Sequence, residues 1–374
     1  MRRRSNIDSP CKILAHLRNE CASPRKPAGY VLVMRIRLQD VAKLANVSEA
    51  TVSRVMNGRD GVAPGTRAKV LAVLADLGYL PPALRTNSRV GLVGLIVPEL
   101  TNPIFPAFAQ AFVARLMEHG YVSVLCCMAQ GTTPEEEYAA ILAEHRVDGL
   151  IVVSGRNANL AVEHEAYLDL SGEVLPQLFV NGFVEGLGID AVSTDDAAAV
   201  KVAVRHLAEL GHECIGLLVG PERYQPVVRK IAGFHAALAE LGLVASDRQI
   251  VETIYSLEGG AVGAHHLVEA GVTGIVTASD LMALGAIRGL RDAGLDVPSD
   301  ISVIGFDDSE LMGLCDPPLT TLRQPVDAIA ELATRLLAKR IADEPTAGEE
   351  YLVRPELVLR ASTARVRRPA ELRS

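Results

Sequence analysis

LQDVAKLANVSEATVSRVMN, residues 38–57, is the stretch on which the reading of the chain turns. Val41, Leu44 and Ala45 fall on one face of a short helix predicted at about 39–45. Val52, Val55 and Met56 do the same for a second at about 49–56. Between them Asn46 has the small polar side chain that tolerates a left-handed backbone, so a tight turn is expected there. Ser48 is placed to cap the second helix and to turn free N–H groups and hydroxyls toward a phosphate. A third helix is expected at about 64–77: Pro64 opens it, Val70, Val73, Leu74 and Leu77 keep three-and-four spacing, and Gly78 ends it. Glu49, Ala50 and Arg54 then face outward from the second helix. Arg54 can donate two parallel hydrogen bonds to a guanine edge in the major groove. An ordinary helical hairpin is the plain alternative, and the turn, the cap and the local charge weigh against it.

That charge is uneven along the chain. The 374 residues sum to −8, yet residues 34–89 carry +5 and residues 1–33 another +5. The remaining 285 residues therefore hold −18. A basic head on an acidic body suits a module that seeks phosphate while the rest is repelled from it. Six cysteines set no disulfide framework, and adjacent Cys126 and Cys127 read as reduced, buried thiols of a strand. No cysteine or histidine spacing suggests a metal or cofactor; His206, His212, His265 and His266 read as structural. Arg2-Arg3-Arg4 is followed by no apolar run, and no segment reaches the roughly 18–20 apolar residues of a membrane span. A cytoplasmic protein is expected.

Residues 1–33 keep no sustained period, and a proline-bearing connector, 81–89, follows the head at 34–80. From Val90 short apolar runs alternate with amphipathic stretches. Strands are predicted at 92–97, 122–127, 149–153, 178–180, 214–219, 274–277 and 301–306, with a last one at 351–359. Helices are predicted at 106–119, 135–145, 195–210, 228–241, 260–270, 280–293 and 325–341. Runs apolar on both faces, alternating with helices, imply parallel sheets covered by helices, and there are too many for one sheet. The fold class is thus an all-α helix-turn-helix head plus an α/β body of two doubly wound lobes. A strand ending in G-x-G-x-x-G, a G-x-S-x-G elbow and an H-E-x-x-H helix are all missing from the sequence, which argues against an enzyme.

The chain resembles the LacI/GalR family of transcriptional regulators from about residue 37 to 363. Beyond the hairpin, the resemblance rests on a series of motifs in order. They are Thr66-Arg67 to Leu77-Gly78-Tyr79; Gly94 to Pro98 with Asn102-Pro103; His206-Leu207 with Gly211-His212; Gly233-Phe234; and Asp300 to Asp308. Leu319-Thr320-Thr321 with Gln324-Pro325, and Pro355-Glu356-Leu357 with Ser362-Thr363, complete it. It implies a homodimer, a repressor gripping a partly palindromic double-stranded operator. It also implies a body like periplasmic sugar-binding proteins, with a small effector of sugar, polyol or nucleoside type between lobes. The lobes are expected at about 90–181 plus 325–345 and at about 182–324 plus 350–363, with a tail at 364–374. Head residues implied to meet DNA are Ser48, Glu49, Ala50, Thr51, Ser53, Arg54 and Asn57, with Leu84 in the connector as a minor-groove wedge.

Three departures stand out: a connector about one helical turn short, Ala63 where a serine often caps the third helix, and Lys230 where an arginine usually grips ligand. Lysine cannot make arginine's bidentate contact. The effector residues implied are Asn102, Phe105, Arg229 or Lys230, Asp280, Asp307 and Gln324. Most are polar or flat side chains at strand ends, where open parallel sheets form their crevice. Plainer readings give Asp308 and Asp280 helix-capping roles. The chain has no tryptophan, the commonest sugar-stacking platform.

Patterning begins sharply at Met34, so the first 33 residues are expected to be dispensable. A chain begun at Met34 should bind operator as tightly as the full chain at matched salt in a titration. A loss of more than about tenfold would give the basic extension a part in recognition.

Overall fold

The computed structural model describes residues 38–56, 62–76, 90–128, 134–164 and 175–366. Asn57, Leu84, the first 33 residues and the connector lie outside them. The chain divides after Arg89 into two units, taken separately below.

The first unit holds three helices, α1 (Leu38–Ala45), α2 (Glu49–Met56) and α3 (Pro64–Asp76). Val41, Ala42, Ala45, Val52, Val55, Val70 and Leu74 form its small core. Leu44, expected on the buried face, is instead 63% exposed. The face that packs is Val41-Ala42-Ala45, and Leu44 lies one step around the helix from it. Asn46 has φ 54°, the left-handed turn that its side chain permits.

The second unit alternates strand and helix. Its first part runs β1 (Gly91–Val97), α4 (Ile104–Glu118), β2 (Tyr121–Cys127), α5 (Glu135–Glu144), β3 (Gly149–Val153), β4 (Gln177–Val180) and β5 (Ala191–Thr194). Then follow α6 (Asp196–Glu209), β6 (Ile215–Val219), α7 (Gln225–Leu241), β7 (Ile250–Glu252), α8 (Leu257–Glu269), β8 (Gly274–Thr277), α9 (Asp280–Asp292), β9 (Ser302–Asp307) and β10 (Thr320–Arg323). The chain closes with α10 (Val326–Ile341), β11 (Glu350–Val353) and β12 (Glu356–Val358).

These strands make two six-stranded sheets, ordered β11-β5-β4-β3-β1-β2 and β12-β10-β9-β8-β6-β7. All pairings are parallel except β10 with β12. Strands of the first sheet are apolar on both faces for a reason visible in the packing. Val93, Leu95, Ile151 and Val153 join one core while Ile96, Leu150 and Val152 join the core on the opposite face. A third core, around Phe234, Leu217, Ile275 and Ile304, serves the second sheet.

The chain passes between lobes three times, after β5, after β10 and after β11. This moves the expected lobe boundaries. Residues 191–194 and 350–353 belong to the first sheet, and the expected single strand at 351–359 is two strands of different sheets. Pro355, which has no N–H to give a ladder, stands at the break.

Cys126 and Cys127 are half-buried free thiols rather than buried ones, because β2 is an edge strand. His212 is structural: its ring nitrogens bond Thr273 Oγ1 at 2.9 Å and Ser302 Oγ at 3.0 Å. No helix among the described residues is long and apolar enough to cross a membrane.

Candidate functional site

In the first unit the loop between α1 and α2 presents a capped helix start. Ser48 Oγ accepts the Thr51 N–H at 3.2 Å and lies 2.8 Å from the Thr51 hydroxyl. Glu49, Ala50 and Arg54 are exposed, while Thr51 and Ser53 are half-buried. The buried Val52 and Val55 hold the opposite face down, so the polar edge with Arg54 stays exposed.

In the second unit a cleft of about 780 Å³ opens between the lobes. Asn102, Phe105, Lys230, Asp307 and Gln324, all expected from sequence, line it. Asn102 ends the loop after β1 and is buried, its Oδ1 3.4 Å from the Ile104 N–H. Phe105 offers a flat apolar face from the first turn of α4.

Asp307 is the last residue of β9 and has φ 119°, followed by Asp308 at φ 59°. Non-glycine residues in such conformations cost about 1–3 kcal/mol each and gather at functional sites. Asp307 Oδ1 accepts from Gln324 Nε2 at 2.7 Å. Asp307 Oδ2 is buried with no hydrogen-bond partner. A carboxylate oxygen left so is costly unless something supplied from the cleft donates to it. Burial, and next the charge of Asp280, push the Asp307 carboxyl well above the usual range.

Two expected residues lie elsewhere. Asp280 does not line the cleft: its oxygens take the Ser309 N–H (2.8 Å), the Ser309 hydroxyl (3.1 Å) and the Thr321 hydroxyl (2.6 Å). Nor does it cap α9, since that bond comes from Ser279 Oγ. Burial pushes its carboxyl up to about 6. Arg229 turns away from the cleft and grips Glu350 of the first lobe through two bonds of 2.8 and 2.6 Å. Arg229 and Lys230 are neighbours about 100° apart around α7, so both cannot face one crevice. Lys230 is the one that does, with its ammonium already bonded to Asp196 and 3.9 Å from the centre of the Phe306 ring. Burial raises the Asp196 carboxyl, against the pull of Lys230. Asp308 caps no helix and is held by Arg323 and Arg360.

Sequence reasoning missed Asn181, Asp196, Tyr224, Tyr255 and Phe306, which also line the cleft. A Cβ on Gly220 would come 1.9 Å from the Tyr255 ring, so the ring packs directly against that glycine, a contact that only the structure reveals. Among the described residues no cluster of His, Cys, Asp or Glu could hold a metal ion.

Two family models match the chain: "Bacterial regulatory proteins, lacI family" over residues 37–82 and "Periplasmic binding protein-like domain" over 204–363. An HTH-type transcriptional regulator in the aml 5′ region of Streptomyces limosus is 48% identical, covering 88% of this chain and 94% of its own length. The HTH-type transcriptional regulator MalR of Streptomyces coelicolor is 47% identical, with 88% and 97% covered. Among solved structures, the complex of transcriptional regulator CelR with cellobiose is 30% identical, with a TM-score of 0.66 and 88% and 100% covered. The lac repressor dimer bound to operator and an anti-inducer is 28% identical, with a TM-score of 0.69 and 88% and 99% covered. A LacI family regulator of Enterococcus faecium with bound ribose is 31% identical, with a TM-score of 0.65 and 74% and 100% covered.

The raised Asp307 carboxyl carries a stability cost with a definite sign. A carboxyl whose folded pKa exceeds its unfolded value, near ~3.9, keeps its full stabilisation below that value and loses it as pH rises toward the folded one. Asp307→Asn removes the group and should therefore melt above wild type at pH 8, with the gap narrowing toward pH 4. Each kcal/mol relieved is worth about 2–4 °C in a domain of this size. Thermal melts across that range check it, and a gap that does not change with pH would contradict it.

Proposed function

The chain belongs to the LacI family of transcriptional regulators, and from that membership we propose a sequence-specific repressor whose operator grip is set by a neutral, polyhydroxylated effector held between its lobes. The observation that carries the effector reading is the buried, unpartnered Oδ2 of Asp307, a residue that lines the cleft. It needs a donor, and a ligand hydroxyl is one. Neutrality follows from charge. Among the described lining residues Glu99, Asp196 and Asp307 stand against Lys230 alone, whose ammonium is spent on Asp196. A phosphate or carboxylate would find no free cation among these residues to receive it. Phe105, Tyr224, Tyr255 and Phe306 supply the flat faces that a tryptophan would otherwise give, and Asn102, Asn181 and Gln324 supply amides. Bound cellobiose and ribose in related regulators support a sugar of one or two rings.

The partner on the DNA side is a partly palindromic operator read by two copies of the head. Leu92, Val122 and Val124 are exposed apolar residues at the β2 edge, on one face by the register Leu92↔Val122. A second copy of the chain covers them in this reading, as the dimeric lac repressor on its operator supports.

Arg54 reads a base edge while Ser48 and Thr51 hold phosphate. Arg54→Ala should cost about 1–3 kcal/mol and relax preference at one position of each half-site. Ser48→Ala should weaken all sequences alike. Selection from a random DNA pool decides: unchanged preference in Arg54→Ala would overturn this docking.

For sensing, a thermal-shift panel of cellobiose, ribose, polyols and nucleosides supplies the effector. Asp307→Asn should bind operator as wild type does without it, yet need about ten- to a hundredfold more effector to respond, the worth of a buried hydrogen bond to a charged group at about 1.5–3 kcal/mol. A response at the wild-type concentration would make Asp307 a structural residue.

A further inference from the structure

The turn after β9 has two successive non-glycine residues with positive φ, Asp307 and Asp308. Backbone of this kind persists only where its surroundings over-determine it. Gln324 holds the Asp307 carboxylate, and its N–H lies 3.3 Å from the Asp307 carbonyl oxygen. Asp280 holds Ser309 through both N–H and hydroxyl. Between them Asp308 has a buried side chain with an arginine on each oxygen: Arg323 Nε at 2.7 Å and Arg360 Nη2 at 2.6 Å.

Arg360 lies outside the cleft, in the C-terminal segment beyond β12. Its Nη1 donates to the Leu319 carbonyl at 2.7 Å, and its backbone N–H to Thr320 Oγ1 at 2.9 Å. The guanidinium thus joins Asp308 to the start of β10 through a planar fork, a geometry that a point charge cannot copy. Arg360 is one-fifth exposed, whereas Arg323 is about half exposed and shared between Asp308 and the exposed Glu356. Two charges on one buried carboxylate exceed what neutralising it requires. The surplus fixes direction.

We propose that Arg360 is a positioning residue of the effector site: by holding Asp308 in its left-handed conformation, it aims Asp307 Oδ2 into the cleft. The proposal rests on the reading of Asp307 as the effector's acceptor, but its test needs no effector. The carboxyl carbons of aspartate are labelled with carbon-13 in the full chain, and the Asp307 signal is assigned by its loss in Asp307→Asn. The groups that face Asp307 are Asp280, Asp196, Lys230 and Tyr255, with Gln324 as its neutral partner.

Wild-type Asp307 should titrate above the usual carboxylate range. In Arg360→Gln the turn relaxes, the carboxyl meets water, and its midpoint should fall by about one to three units. Arg360→Lys, which keeps the charge without the fork, should fall between. Arg323→Gln should move it least. If Arg360→Gln does not fold, Arg360→Lys decides by the same reading. An unmoved midpoint in a folded variant overturns the positioning role and leaves Arg360 as an anchor for the C-terminal segment. An unaltered effector response in Asp307→Asn overturns instead the reading of the cleft on which the role rests.

Discussion

The body of this regulator depends on one buried amide at the place where its chain crosses between lobes. Gln324 follows β10, the last residue of the second lobe before α10 carries the chain back to the first. Its Oε1 accepts the Thr194 hydroxyl at 2.7 Å and the Asn181 Nδ2 at 3.4 Å, both from the first lobe. Its Nε2 donates to Asp307 of the second lobe at 2.7 Å. Both ends of one side chain are therefore used, one per lobe. Asn181 Oδ1 in turn accepts the Thr194 N–H at 3.0 Å, which ties β4 to the end of β5. Any rotation of the lobes must turn about this chain of bonds or break it, because in a dry interior an amide without partners is expensive.

Around that centre the cleft is costly to build. Asp196 and Asp307 are buried acids in its lining, with Lys230 and its cation–π contact to Phe306 as partial compensation. Replacing such groups with apolar ones of similar shape commonly stabilises a fold. Their retention here is consistent with a site where stability is exchanged for a poised acceptor. Farther out, the lobes are clasped by contacts of a different kind. Arg229 meets Glu350, the Gln225 side chain bonds both the N–H and the carbonyl of Phe183, and the Leu160 N–H donates to the Arg223 carbonyl. These lie nearer solvent, cross from one lobe to the other, and are of the sort that a small relative movement exchanges for water.

How much of this was legible in the sequence follows the strength of each local pattern. The head was legible because its turn, cap and apolar spacing agree, and among its described side chains only Leu44 was misplaced. Strongly apolar strands such as Gly91–Val97 and Ser302–Asp307 were found. Ala191–Thr194 and Thr320–Arg323 were not, since they are four residues long and partly polar. Both sit at crossovers, so missing them displaced the lobe boundaries. In the cleft, Asn102, Asp307 and Gln324 were found from a strand end or a motif, whereas Asn181 and Phe306, which also stand at the ends of predicted strands, were passed over. Asp280 failed because its neighbour Ser279 takes the cap, and its own carboxylate is consumed by Ser309 and Thr321. Arg229 failed because Glu350, far away in sequence, claims it. Such competition is set by tertiary partners, which no spacing along the chain reveals.

The same connections suggest how occupancy of the cleft becomes a movement. A ligand hydroxyl on Asp307 Oδ2 stabilises the charged carboxylate, which burial otherwise disfavours. A charged Asp307 strengthens its bond from Gln324, since hydrogen bonds to ionised groups are roughly twice as strong as neutral ones. Gln324 passes that preference to Thr194 and Asn181, hence to β4 and β5 of the first lobe. On the proposed reading an effector would act on the relative energy of two lobe arrangements only as far as it bonds differently in each, which is the requirement for any allosteric ligand. The first lobe begins at β1, a few residues after the connector. In sequence it is therefore the lobe that directly follows the connector.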